Sequence, residues 1–286
     1  MITSLTPSPP DKRDFIYEFI GTYGAELPAT LDMRSELLAV RDQGNNGACV
    51  AFTASAIKEV QERRDTGFDE YMSPLFIYEH RENTKTEGMY PRDLMRILTN
   101  IGSVPETAMP YNKPARFTTK LRRSAYNYRI KGYASITTID ALKSSLVKHG
   151  PALLGIPVYN YGASLWKKGT SDVFRGGHAV AIVGWNETGF IIRNSWGPTW
   201  NGDGHTIFPF TDWGLQWEIW STIDADSVSV IAPPVRPIRR RRRRFPRRIV
   251  TPAAKAERLA LLRARIILIQ ERARRPKPSR KPKHLQ

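Results

Sequence analysis

The sequence predicts an α+β chain with helices in its first half, a β-rich second half and a basic C-terminal tail, and three observations carry that reading. Apolar residues recur with helical period after Cys49, after Ser73 and after Pro91. All seven tryptophans, Trp166, Trp185, Trp196, Trp200, Trp213, Trp217 and Trp220, fall between residues 166 and 220 among short apolar runs bounded by glycine, as expected of a densely packed β half. Beyond about Val235 the composition turns abruptly arginine-rich. The expected organisation is an arm at 1–26, a domain at 27–235 and a tail at 236–286. A chain of 286 residues can hold one large domain or two small ones around a substantial core.

Taken in order, the arm carries Pro7, Pro9 and Pro10 and then DKRDFIYEFIGTYGAE; it is expected to lie along the domain surface, with occlusion of a cleft as the alternative. Phe52, Ala56, Ile57 and Val60 share one face of a helix that opens at Cys49, while Lys58, Glu59, Glu62, Arg63 and Arg64 fall elsewhere. Ser73 is placed to cap the next helix, with Pro74 at its first position. Leu94, Ile97, Leu98 and Ile101 line a third helix that Gly102 stops. Residues 126–135 are expected as a strand, and TTIDALKSSLVKHGP as a helix ended by Gly150-Pro151. His149 stands in its last turn, where a cation is favoured, so a capping role is expected. PALLGIPV reads as a buried strand. GGHAVAIVGW and GFIIRNSWG read as a hairpin joined by Asn186-Glu187-Thr188-Gly189. His80 and His205 read as structural.

The chemistry centres on QGNNGACVAF, residues 43–52. Cys49 is the only cysteine, so no internal disulfide can form. Gly44 and Gly47 let the preceding loop double back, and a thiol in the first turn of a helix meets the positive end of the dipole, which favours thiolate. A nucleophile needs a base, and the base needs a partner to orient it. His178 and Asn194 lie 129 and 145 residues after Cys49, at the hairpin end away from its turn.

Those three stretches, in that order and spacing, resemble the papain-like (C1) cysteine peptidases, and the similarity runs from about Leu27 to about Asp224. The resemblance implies a helical left lobe, a β-rich right lobe and a cleft between them, in which a protein or peptide substrate is cut without a cofactor. It implies Cys49 as nucleophile, His178 as general base and then acid, and Asn194 as the residue orienting the imidazole. Gln43 matches the oxyanion-hole glutamine, and Trp196 the tryptophan shielding the His–Asn hydrogen bond. Gly88 and Met89 fall near the strip that pairs with substrate backbone, and Gly155 and Ala179 near the pocket for the second residue before the scissile bond. The family usually reads CGSCW at the nucleophile; here Asn46 stands in place of the first Cys and Val50 in place of the Trp. The family's inhibitory propeptide is usually several times longer than residues 1–26, so no zymogen of that sort is expected. A papain-like binding module without turnover is the rival reading. No metal-ligand spacing, P-loop or dinucleotide fingerprint occurs.

The formal net charge is +17, but 20 of the 44 Lys and Arg residues lie from Arg236 onward with only 2 acidic ones, which leaves residues 1–235 at −1. Arg239, Arg240, Arg241, Arg242, Arg243 and Arg244, with Arg247 and Arg248, are expected in a disordered linker. Thr251 and Pro252 then open a basic amphipathic helix with Leu259, Leu262, Ile266 and Ile269 as its stripe. Nucleic acid is the expected partner of the tail, with an import receptor or an anionic membrane surface as alternatives. No apolar run is long enough to span a bilayer, and MITSLTPSPPDKRD lacks the apolar core of a secretory signal. The expected location is an intracellular reducing compartment: cytoplasm, nucleus or virion. The sequence leaves the oligomeric state open.

Overall fold

The structure, a computed structural model, describes residues 3–17 and 27–224. The polyarginine linker and basic helix expected at 236–286 lie outside the described residues.

After a two-residue strand, β1 (Leu31–Asp32), the chain enters α1 (Cys49–Thr66), the long helix on which the domain is built. It ends at Gly67, whose φ of 73° gives the left-handed cap. The helix is buried from Cys49 through Glu62, polar residues included, so it is a central element and not the surface helix with one apolar face that the sequence suggests. Its inward charges are paired. Lys58, fully buried, places Nζ 2.6 Å from Asp224 and 2.8 Å from Glu62. Glu59 accepts from Arg41 and from the amide of Met72, each at 3.1 Å. Then come α2 (Pro74–Tyr78) and α3 (Pro91–Asn100). Ser73 caps α2 as expected, accepting from the Phe76 amide at 3.1 Å, and α3 gives way at Ile101 and Gly102.

Residues 126–135 do not form one strand. Thr118 caps a short helix, α4 (Thr119–Ala125), whose last turn tightens into a 3-10 turn over Tyr126–Tyr128. Only β2 (Gly132–Ser135) pairs. The cap and a run of good helix formers prevail over the β preference of the tyrosines.

Thr138 caps α5 (Ile139–His149). The remaining strands are β3 (Ala152–Val158), β4 (Gly176–Trp185), β5 (Gly189–Arg193), β6 (His205–Pro209) and β7 (Glu218–Ile223). They form an antiparallel sheet in the order β2-β7-β3-β4-β5-β6, with β1 added beside β4. The β4–β5 hairpin turns at Asn186–Gly189, closed by the Asn186 amide on the Gly189 carbonyl at 3.0 Å. Trp166, Trp185, Trp196 and Trp200 are all buried in the sheet's core. A second cluster holds Cys49, Val50, Ala54 and Ile57 of α1 against Met89, Leu94, Met95 and Ala179. Among the described residues no helix is long and apolar enough to cross a membrane.

His149 is not the charged cap the sequence suggests. Its ring is buried, edge-on to Tyr17 at 5.7 Å, and burial, with Lys148 adding, lowers its pKa to about 4.

Two measurements test this account. Lys58→Met leaves two inward carboxylates without their cation, and should lower unfolding stability in urea by about 3–5 kcal/mol. For His149, the unfolded chain binds a proton below about 6.5 while the folded chain refuses it down to about 4. Folding stability must therefore fall as pH falls through that window. His149→Gln should shrink the drop in the urea midpoint between those two pH values.

Candidate active site

α1 sets its first turn against the start of β4. The loop before it is folded by Gln43, whose amide donates to the Ser195 carbonyl at 2.8 Å, and by Ala48, whose amide donates to Asn46 at 2.8 Å. Gly47 has no room for a side chain, since a Cβ there would lie 2.6 Å from the Ser4 hydroxyl. The loop therefore delivers Cys49 as the first residue of the helix with its thiol toward β4.

The surroundings of that thiol reverse the sequence expectation. Cys49 is fully buried, and burial pushes its pKa up. The amide of Ala179, the hydroxyl and amide of Ser4 and the amide of Val50 oppose the shift without overcoming it. The helix dipole favours thiolate, but a dry site favours the neutral thiol more strongly.

His178 precedes Ala179 on β4 and is likewise fully buried. Its Nε2 lies 2.8 Å from Asn194 Oδ1. That oxygen also accepts from the Ser195 amide at 2.7 Å, which fixes the Asn194 amide so that its oxygen faces the ring. His178 Nε2 is then the protonated nitrogen, and Nδ1, which has no hydrogen-bond partner among the described residues, is left as a base. Trp196 stacks on the imidazole at 4.5 Å and 25° and keeps water from that face. Burial lowers the His178 pKa to about 4, and the bond to Asn194 only partly restores it.

Gln43 is buried below the same strand end. Its Oε1 accepts from the Ser195 hydroxyl at 2.7 Å and its Nε2 donates to the Asn46 carbonyl at 2.9 Å. Tyr111 reaches over from the other side, its hydroxyl donating to the Gln43 carbonyl at 3.0 Å and accepting from Asn46 Nδ2 at 3.1 Å. Ser195 and Tyr111 are residues that sequence reasoning passed over. Ser195 was visible in the NSWG stretch, where only its neighbours were assigned roles; Tyr111 carries no local signature.

Val50, at the position where the resemblance expects tryptophan, is fully buried in the cluster around α1. Gly88, Met89, Gly155 and Ala179 surround one spot, and the arm fills it. Leu5, only 4 % exposed, belongs to the cluster of Cys49, Met89 and Ala179, and a Cβ on Gly155 would lie 3.2 Å from its Cδ1. A Cβ on Gly88 would lie 2.6 Å from the Ser4 carbonyl oxygen. Residues 3–6 thus run through the cleft, the occlusion that the sequence left as the alternative, while residues 7–16 stay exposed or half-buried along the surface as expected. His80 and His205 are placed structurally, His80 against Phe76 and Phe117 and His205 beside Asp203. Among the described residues, no three His, Cys, Asp or Glu side chains gather where a metal ion could be held.

The chain is similar to known proteins in sequence and in fold. The chain is 30 % identical over 222 residues to a cathepsin B-like protein of Giardia intestinalis, covering 68 % of this chain and 73 % of that one. It is 28 % identical over 205 residues to a cathepsin L-like peptidase of Aedes aegypti, covering 65 % and 60 %. The solved structure of xylellain, a cysteine protease from Xylella fastidiosa, matches with a TM-score of 0.67 and 26 % identity over 78 % of this chain and 96 % of that one. The chain spans only 60–62 % of the length of several of the curated relatives it matches.

This kinship overturns the expected intracellular reducing compartment. Cathepsin-like relatives, from Aedes aegypti and Giardia intestinalis, point away from it. The sequence misled for a chemical reason: a lone cysteine can form no internal disulfide under any redox condition, so the scarcity of cysteine carries no information about compartment. With the model of the papain family cysteine proteases matching residues 27–209, the chain belongs to that family.

Proposed function

We propose that the chain hydrolyses peptide bonds in a protein or peptide substrate, with Cys49 as nucleophile and His178 as base and then acid. The observation that carries this reading is the state of the imidazole: Nε2 is tied to Asn194 at 2.8 Å under the Trp196 ring, and Nδ1 is unpartnered among the described residues. Nδ1 takes the Cys49 proton as sulfur adds to the carbonyl carbon, and the oxyanion is met by the Cys49 amide and by Gln43 Nε2. His178 returns the proton to the leaving amine as the C–N bond breaks. A water molecule, deprotonated by the same nitrogen, then hydrolyses the thioester and releases the acid. Asn194 holds the imidazole in the required tautomer, and Ser195 keeps the Gln43 side chain oriented.

Gly88, Met89, Gly155 and Ala179 are proposed as the walls of the substrate subsites, because Ser4 and Leu5 of the arm lie against them. For the tail, Arg239–Arg244 with Arg247 and Arg248 are proposed to bind a polyanion, for which nucleic acid fits best, since 1–235 at −1 cannot neutralise them.

The catalytic roles predict a graded series. Cys49→Ala should abolish turnover of a peptide substrate and labelling by an epoxysuccinyl thiol inhibitor while leaving the fold intact by circular dichroism. Gln43→Ala should lower kcat about 10²–10³-fold, and Asn194→Ala should cost less than His178→Ala. Folded protein that takes up no label once its cleft is open would favour the rival, a binding module without turnover. For the tail, affinity for a duplex of arbitrary sequence should fall steeply between about 50 and 200 mM salt. Replacing Arg239–Arg244 by glutamine should flatten that dependence and leave peptide hydrolysis unchanged.

A further inference from the structure

We propose that Tyr111 is a positioning residue of the oxyanion hole: its hydroxyl, with Asn46, ties together the two ends of the loop 43–46 and thereby fixes Gln43 Nε2. The inference rests on the peptidase reading, in which that nitrogen meets the oxyanion, and adds what holds it there.

The need for such a device comes from the sequence. The loop that delivers Cys49 turns through Gly44 at a φ of 63°, and residues 44–46 are exposed. Asn46 stands where the resemblance expects a cysteine, and with Cys49 the only cysteine no disulfide can fasten the loop. An exposed, glycine-bearing loop without a fastening samples many conformations. An oxyanion donor acts only when it is preorganised.

The fastening consists of hydrogen bonds on two sides. From within, Gln43 Nε2 donates one of its two hydrogens to the Asn46 carbonyl at 2.9 Å, which leaves the second for an oxyanion. From without, the Tyr111 hydroxyl donates to the Gln43 carbonyl at 3.0 Å and accepts from Asn46 Nδ2 at 3.1 Å. A hydroxyl carries one proton and two lone pairs, so a single tyrosine serves both ends of the loop at once. Ser195 orients the far end of the Gln43 side chain through Oε1 at 2.7 Å; Tyr111 sets where that side chain begins.

Tyr111 is itself fixed against the parts it aligns. Its amide donates to Glu106 Oε1 at 2.7 Å, and Glu106 Oε2 accepts from Arg41 at 3.2 Å. Its ring stands edge-on to Phe52 of α1 at 4.7 Å. The tyrosine is thus referenced both to the residue two before Gln43 and to the helix that carries Cys49, the two parts whose relative position defines the hole. Burial raises the pKa of its hydroxyl above the ordinary value, so the donor is kept through the neutral range.

The test uses the full-length chain with Tyr111→Phe, Asn46→Ala, Gln43→Ala and the double variant of Gln43→Ala with Tyr111→Phe. Tyr111→Phe keeps the ring on Phe52 and should retain the fold by circular dichroism. Its kcat on a small fluorogenic peptide should fall about 10-fold with KM little changed, and Asn46→Ala should lose less. Alkylation of Cys49 by iodoacetamide develops no oxyanion and should keep its rate in both. On the Gln43→Ala background Tyr111→Phe should cost nothing further, because the donor it positions is gone. Should Tyr111→Phe fail to fold, the exposed Asn46→Ala carries the same readings. An unchanged kcat, an equal further loss on the Gln43→Ala background, or alkylation that slows in parallel with kcat overturns the positioning role and leaves the peptidase reading standing. If no form hydrolyses peptide, the peptidase reading fails and amide hydrogen exchange at residues 44–47 decides the clamp: faster exchange in Tyr111→Phe upholds it, and unchanged exchange overturns it.

Discussion

The seating of the first turn of α1 against residues 177–179 of β4 is the constraint on which the rest depends. Within those three residues Gly177 offers its carbonyl to the arm, His178 turns its ring to Asn194, and Ala179 directs its amide at the Cys49 sulfur. Successive side chains of a strand point to opposite faces, so a slip of one residue in the pairing of β3 with β4, which sets Ile156 opposite His178, would turn the imidazole away from the helix. Tight burial of both elements forbids that slip. The ion triad of Lys58, Glu62 and Asp224 holds the far end of the helix at the end of β7, so α1 is pinned at both ends and the thiol has one address.

That same burial sets the electrostatics of the pair. In the covered cleft the thiol is pushed up and the imidazole down, and both shifts disfavour an ion pair. Neither shift is a fixed property of the residues. Each originates first in burial, and Leu5 of the arm lies in the apolar cluster that holds Cys49. Admitting water or a polar peptide would relax the desolvation while leaving the helix dipole and the Asn194 bond in place. The dipole that the sequence offers as an activator is therefore present throughout, outweighed here by burial.

Much of this was legible in the residues. The helix at Cys49, the Ser73 cap, the stop at Gly102 and the β4–β5 hairpin are local devices, each signalled by a capping residue, a glycine or an apolar alternation within a few positions. What the sequence hid is non-local. Nothing near Lys58 announces that Asp224, far along the chain, will bury it. The lysine therefore reads as solvated. The tyrosines of 126–128 read as strand because their β preference is visible and the cap eight residues upstream, at Thr118, is not obviously theirs. The seat of Leu5 was hidden for the same reason: three prolines and scattered charges describe the exposed part of the arm, and only the space over Gly88, Gly155 and Ala179 makes a pocket for its single leucine. His149 was misread because the helix terminus that favours a cation is visible in sequence, whereas Tyr17 packing over it is not.

The arm also explains how few contacts such a cover requires. A free peptide with three main-chain amide bonds, one buried leucine and one ion pair would bind weakly, because ordering each residue costs about 1–2 kcal/mol in backbone entropy alone. The arm is not free. Only the segment between Tyr17 and Leu27 separates it from the domain, and a short tether confers an effective concentration of order millimolar. Contacts too weak to hold a separate peptide then suffice to keep the arm in place.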